Sequence, residues 1–220
     1  MTETEQIEVI KKWWEKYNNI ITILLSLILL SVAGFKYYHW HQDKITEQAS
    51  MAYEHLMLAF SNQDNRGVRA YSNQLLSDYG NTVYADIARL TLAKIDTLRE
   101  KLPKAEEELR YVALHSKMMS IQQVAKVRLA RIYVAEKAYD KALAELASVN
   151  SVAYTPVVNE LRGDIYAAIG QYDKAVLEYR RAVSEAKVNG IGNLFLEMKT
   201  NELAAMTQSM NIEDKESESA

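Results

Sequence analysis

The 220-residue sequence contains no cysteine. Disulfides, cysteine-ligated zinc, iron–sulfur clusters and thiol catalysis are thereby excluded, while an oxidising and a reducing compartment fit equally well. Glycine and proline, the residues least tolerated inside helices, number only 7 and 2. Positive charge is not in excess: a net charge of −3 lacks the basic composition of a nucleic-acid binder, and no nucleic-acid partner is expected. The signatures of common chemistries are missing too. There is no GK[ST] phosphate loop, G-x-S-x-G elbow, H-E-x-x-H pair or calcium loop. His39 and His41 stand two apart, on different sides of a helix and among aromatics, which suits a membrane–water interface better than a metal. His55 and His115 have no companions at ligand spacing, and Glu106 to Glu108 are consecutive, as on a solvated face. The expectation is a protein without catalytic residues, cofactor or metal. What is present is 14 tyrosines and many alanines, a mixture of large and small side chains suited to an all-helical chain.

The longest uncharged stretch runs from Ile20 to Phe35 and ends at Lys36. Sixteen helical residues span about 24 Å, short of a bilayer core of about 30 Å. Uncharged Tyr17, Asn18 and Asn19 extend it on one side, and Lys36 can snorkel on the other. Trp13 and Trp14 precede it, and Tyr37, Tyr38 and Trp40 follow, the flanking aromatics of a spanning helix. Ser31 to Gly34 could imitate a cleavage site. The preceding region, however, mixes Glu3, Glu5, Glu8 and Glu15 with Lys11, Lys12 and Lys16, unlike the basic start of a signal peptide. A retained anchor over 18–40, with a short cytoplasmic tail at 1–17, is therefore expected in preference to a cleaved signal or a buried core helix. Three lysines before the run against two soon after (Lys36, Lys44) favour that orientation only slightly.

The remaining chain repeats itself. In Leu161 to Val183, Gly163, Tyr166, Gly170, Tyr172, Ala175, Tyr179 and Ala182 have the spacing of a tetratricopeptide repeat, two antiparallel helices crossing at small residues. Gly170 is placed to end the first helix in a left-handed conformation. Leu129 to Val149 repeats the pattern through Ala130, Tyr133, Tyr139, Ala142 and Leu146, with Lys137 in place of the turn glycine. Leu92 to Val112 is a weaker copy, with Asp96 where tyrosine is expected. Ala105 to Ala142 is 37 residues against 33 from Ala142 to Ala175, so a longer loop is expected around Lys117 to Ser120. A fourth pair is expected over Lys44 to Phe60 and Val68 to Tyr79, turning at Ser61 to Gly67. No breaker separates Gly34 from Phe60, so the membrane helix is expected to run into the first repeat helix.

After the last copy, Gly190 to Met206 reads as a capping helix with Leu194, Leu196, Met198, Leu203 and Met206 as its apolar residues. Residues 210–220 read as a disordered acidic tail. The predicted fold is all-α: one transmembrane helix, then a solenoid of about four helix pairs over 41–209 with a C-terminal cap. The first helix of each pair lines the concave side of such a stack. That row is Ile87, Leu90 and Lys94, then Val124, Val127, Arg131 and Val134, then Val157, Glu160 and Asp164. It is apolar enough to be a partner-binding surface, unless the capping helix or the next repeat covers it.

The anchor combined with the repeats, and above all the stretch Ser77 to Ile95, resembles the YfgM family over nearly the whole chain. The resemblance implies an ancillary subunit of the SecYEG translocon in the bacterial inner membrane. It implies a periplasmic repeat domain that associates with a PpiD-like membrane-anchored chaperone and with newly exported polypeptides. The alternative is a scaffold in another envelope assembly, such as outer-membrane protein insertion or cell-wall machinery. A further alternative is an accessory that presents a separate catalytic subunit.

Overall fold

The computed structural model describes residues 3–188 and 193–218. Among them are nine α-helices, one short 3-10 turn and no strand. The chain divides into two compact units, Met1–Met51 and Ala52–Ala220. The first helix, α1 (Glu3–Ser61), contributes to both; the expected unbroken run from Gly34 to Phe60 lies within it.

In the first unit, α1 carries an apolar stretch whose side chains are exposed around its circumference: Ile20, Leu24, Leu27, Ile28, Leu30 and Phe35 among them. None of its most apolar window is buried within the chain, unlike a core helix, and the segment is long and apolar enough to cross a membrane. Its hydroxyls are satisfied within the helix, as a lipid environment requires. Thr22 donates to the Asn18 carbonyl, Ser26 to Thr22 and Ser31 to Leu27, each at 2.8 Å. Beyond the run, His39 packs edge-on against Phe35, His41 stacks on Tyr37, and Lys44 lies over Trp40.

In the second unit the end of α1 is followed by α2 (Asn65–Asp78), α3 (Val83–Leu98), α4 (Leu102–His115), α5 (Met119–Ala135) and α6 (Tyr139–Ala147). A 3-10 turn (Val152–Tyr154) leads into α7 (Thr155–Ala168), α8 (Tyr172–Val188) and α9 (Leu194–Glu218). Both prolines of the sequence stand in the first turn of a helix, α4 or α7, where no amide donor is lost. From α2 to α9 each helix packs on the next, and α3, α5 and α7 also touch along one side.

Every pair turns in the same way. Gln63, Glu100, Lys137 and Gly170 all take positive φ, at 56°, 58°, 58° and 78°. At each, two backbone bonds close the preceding helix: Lys137 N–H to Val134 and Ala138 N–H to Tyr133, as Gly170 to Ala167 and Gln171 to Tyr166. Glu100 and Lys101 bond to Thr97 and Asp96, and Gln63 and Asp64 to Phe60 and Ala59. This is the left-handed helix stop of the Schellman type, here built three times without glycine.

The turns bring small residues together. Ala93, Ala105, Ala130, Ala142 and Ala175 are buried, as is Gly163. A Cβ on Gly163 would come within 2.5 Å of the fully buried Tyr179 ring. Leu56 and Val68 stand in for the small residues in the first pair, and Ser72 is buried there with no hydrogen-bond partner among the described residues.

Three expectations are corrected. The longer repeat spacing does not come from a loop at Lys117 to Ser120, since only Ser116 to Met118 separate α4 from α5. It comes from helix length, 14 and 17 residues in α4 and α5 against 9 and 14 in α6 and α7, partly offset by the longer connection between α6 and α7. In the capping helix, Leu196 and Leu203 face inward with Thr200 and Thr207, whereas Leu194, Met198 and Met206 are exposed. The two threonines are buried because each hydroxyl bonds back to the helix, on the Leu196 and Leu203 carbonyls. The same helix continues to Glu218, through most of the stretch expected to be a disordered tail. Gly190 to Gly192, placed at the start of that helix by the sequence, lie outside the described residues.

Replacing Lys137 by glycine should stabilise the repeat domain by about 1 kcal/mol, because a side chain in the left-handed region costs about that much. Chemical denaturation checks it, with an unchanged midpoint counting against the strain. Gly163→Ala should do the reverse, costing about 1–3 kcal/mol by overpacking against Tyr179 even though alanine favours helix. A thermal melt at or above that of the parent would show that the crossing can open.

Candidate partner-binding face

The predicted row divides once burial is known. Leu90 and Val127 are buried in the core formed by α3 to α7, so their side chains offer no surface to a partner. Ile87, Val124, Val134 and Val157 are half-buried, the last three packed against that core. Lys94 and Arg131 are exposed. Glu160 and Asp164 are half-buried. Asp164 is already engaged: it accepts a 2.7 Å hydrogen bond from the Tyr179 hydroxyl and pairs with Lys199 of α9. At this end of the row the capping helix occupies the face.

The other end is open. Between α3 and α5 lies a cleft of about 280 Å³, lined by Lys94, Leu98, Arg128 and Arg131 over Leu109 and Ile132. Beside it, a cleft of about 540 Å³ is formed by Phe60, Lys94, Ile95, Leu98 and Arg99 with the turn into α2. The two share Lys94 and Leu98. Lys94 is held over the Phe60 ring, 5.0 Å from its centroid. Burial, and then the charge of Arg131, lower the pKa of Arg128 from its ordinary value. Arg128, Arg99, Leu98 and Phe60 escaped the sequence reading. For Arg128 a signal existed, since it precedes Arg131 by three residues on one helix and shares its face.

Elsewhere several charges are paired. Asp96, in the place of a repeat tyrosine, is buried and paired with Arg69. Arg89 binds Glu108 at 2.6 Å and covers the Tyr111 ring. Arg110 joins Glu106 and Tyr133.

The sequence profile described as a tetratricopeptide repeat-like domain matches residues 11–205. The chain belongs to that family. The match includes the apolar segment of α1 as well as the helix pairs. Among curated relatives, a protein of Aggregatibacter actinomycetemcomitans is 29% identical over 84% of this chain and 90% of its own length. One from Neisseria gonorrhoeae is 24% identical over 92% and 98%, and one from Escherichia coli K12 is 24% identical over 92% and 97%. All three are named ancillary SecYEG translocon subunit. The resemblance to the YfgM family is thus borne out, and with it the all-α repeat fold.

The attachment of the cap makes stability depend on alkaline pH. Burial pushes the Tyr179 hydroxyl up to about 12. For Lys199, burial opposes the charge, but the hydrogen bond it donates to Asp164, with the interaction with Tyr179, outweighs it and raises the pKa above its ordinary value. Both groups bind protons more tightly folded than unfolded. Their contribution is therefore complete below the unfolded pKa near 10 and is lost as pH rises toward 12. The melting temperature should fall over that interval, and Tyr179→Phe should flatten the fall. An equally steep decline in the variant would place the sensitivity elsewhere.

Proposed function

We propose that this chain is a non-catalytic, membrane-anchored adaptor of the protein-export machinery. In this reading 18–40 span the inner membrane, 1–17 face the cytoplasm, and the repeat domain works in the periplasm. There it engages the SecYEG translocon, a PpiD-like chaperone and newly exported chains. One observation carries the proposal: the resemblance is to ancillary translocon subunits and extends through the anchor and the repeats together, over most of both chains. The open end of the helix row supplies a surface suited to a partner segment, and exposed Arg131 is the place to sample it.

A photo-crosslinking residue at Arg131, activated in intact membranes, should yield adducts with translocon subunits, the chaperone or exported chains. Adducts confined to an outer-membrane insertion or cell-wall complex would replace this function with that of a scaffold there. The absence of native cysteine makes topology directly measurable. With Lys137→Cys, an impermeant maleimide should label cells whose outer membrane alone is opened. Labelling only after the inner membrane is broken would reverse the orientation.

A further inference from the structure

We propose that the two clefts sharing Lys94 and Leu98 form one docking site for an acidic segment of a protein partner, with an apolar side chain set among its carboxylates. This deepens the adaptor reading and rests on it for the source of the partner. The residues lining the clefts include four cations, Lys94, Arg99, Arg128 and Arg131, and no carboxylate. That is a local concentration of one sign in a chain whose net charge is −3. Among the described residues none of the four has an acidic partner within ion-pair distance. Arg128 and Arg131, both exposed, stand one helical turn apart, where like charges repel.

The apolar part of the site fixes the kind of anion. Leu109 and Ile132 form a buried floor, and Leu98, 74% exposed, stands between the clefts. A side chain can enter such a recess while carboxylates on either side meet the arginines, which favour planar, two-point contacts with carboxylate. A bilayer surface fits less well, because the charges line recesses rather than a plane.

The test uses the full-length protein in nanodiscs of zwitterionic lipid. The probe is a fluorescent peptide with several glutamates around one phenylalanine; its counterpart carries glutamine throughout. The acidic peptide should bind saturably and more weakly as salt rises, and the glutamine peptide at least about tenfold more weakly. Arg128→Gln with Arg131→Gln should lower binding of the acidic peptide to a similar degree, with the thermal melt checked in parallel. If that pair lowers the melt, the exposed Lys94→Gln gives the same comparison with less structural demand. Equal binding of the two peptides, or no effect of the folded variants, would overturn the proposal. So would phosphatidylglycerol vesicles displacing the peptide completely, which would assign the cations to lipid. The outcome is separable from that of crosslinking. Translocon adducts without acidic-peptide binding would remove this site and leave the adaptor, while peptide binding with adducts from another complex would keep the site and remove the translocon role.

Discussion

The close approach of two helices at a small residue is the constraint on which the repeat domain depends. At Gly163 there is no room for even one carbon between the helix backbone and the Tyr179 ring. Ala93 with Ala105, and Ala130 with Ala142, repeat the crossing in the middle pairs, all of them buried. Such contact requires that each chain reversal be short and of one geometry, which a single left-handed residue after each first helix provides. The side chains around the crossing then fill a continuous core from α3 to α7. With the pairs held this way, the first helices come to lie side by side and the spaces between their exposed edges become clefts.

The pattern of small and aromatic residues made this architecture legible in the sequence, and the positions that hid it are instructive. Gly170 announces its turn, whereas Gln63, Glu100 and Lys137 adopt the same conformation with side chains that do not advertise it. The spacing between alanines revealed an insertion but not its place, because extra residues that continue a helical register look like residues of a loop. In α9, hydrophobicity alone did not define the inward face: Leu196 and Leu203 point inward together with Thr200 and Thr207, whose hydroxyls the helix satisfies, while Leu194 and Met198 are left outside. Asp96 looked like a failed tyrosine and is instead a buried acid answered by Arg69, a partner far away in sequence.

For the predicted row, alignment of the copies assigned residues to α3, α5 and α7 but did not tell which side chains remain uncovered. Val127 and Arg131 are one turn apart on the same face of α5. The valine ends within the core, while the arginine has a stem long enough to carry its charge out of it. Leu90 and Lys94 on α3 show the same division. Residue type and neighbouring helices decide exposure together, and only the first is written locally.

The two ends of the row are consequently different surfaces despite their common repeat. At the last pair, Asp164 is tied to Lys199 and Tyr179, so its charge is spent on holding the cap. At the α3–α5 end the cations have no carboxylate partner among the described residues, and Arg128 and Arg131 repel one another within the fold. At one helical turn such repulsion costs only about 0.2–0.5 kcal/mol in an exposed setting. A hydrogen bond to a charged group contributes about 1.5–3 kcal/mol. A small standing loss of stability can therefore be exchanged for a larger gain on contact with an acidic partner. Unmatched charge of this kind also accelerates encounter and discourages partners of the wrong sign more than it deepens affinity. A face built this way suits partners that must be met quickly and released, with the apolar floor adding attachment only after the charges have brought the segment into place.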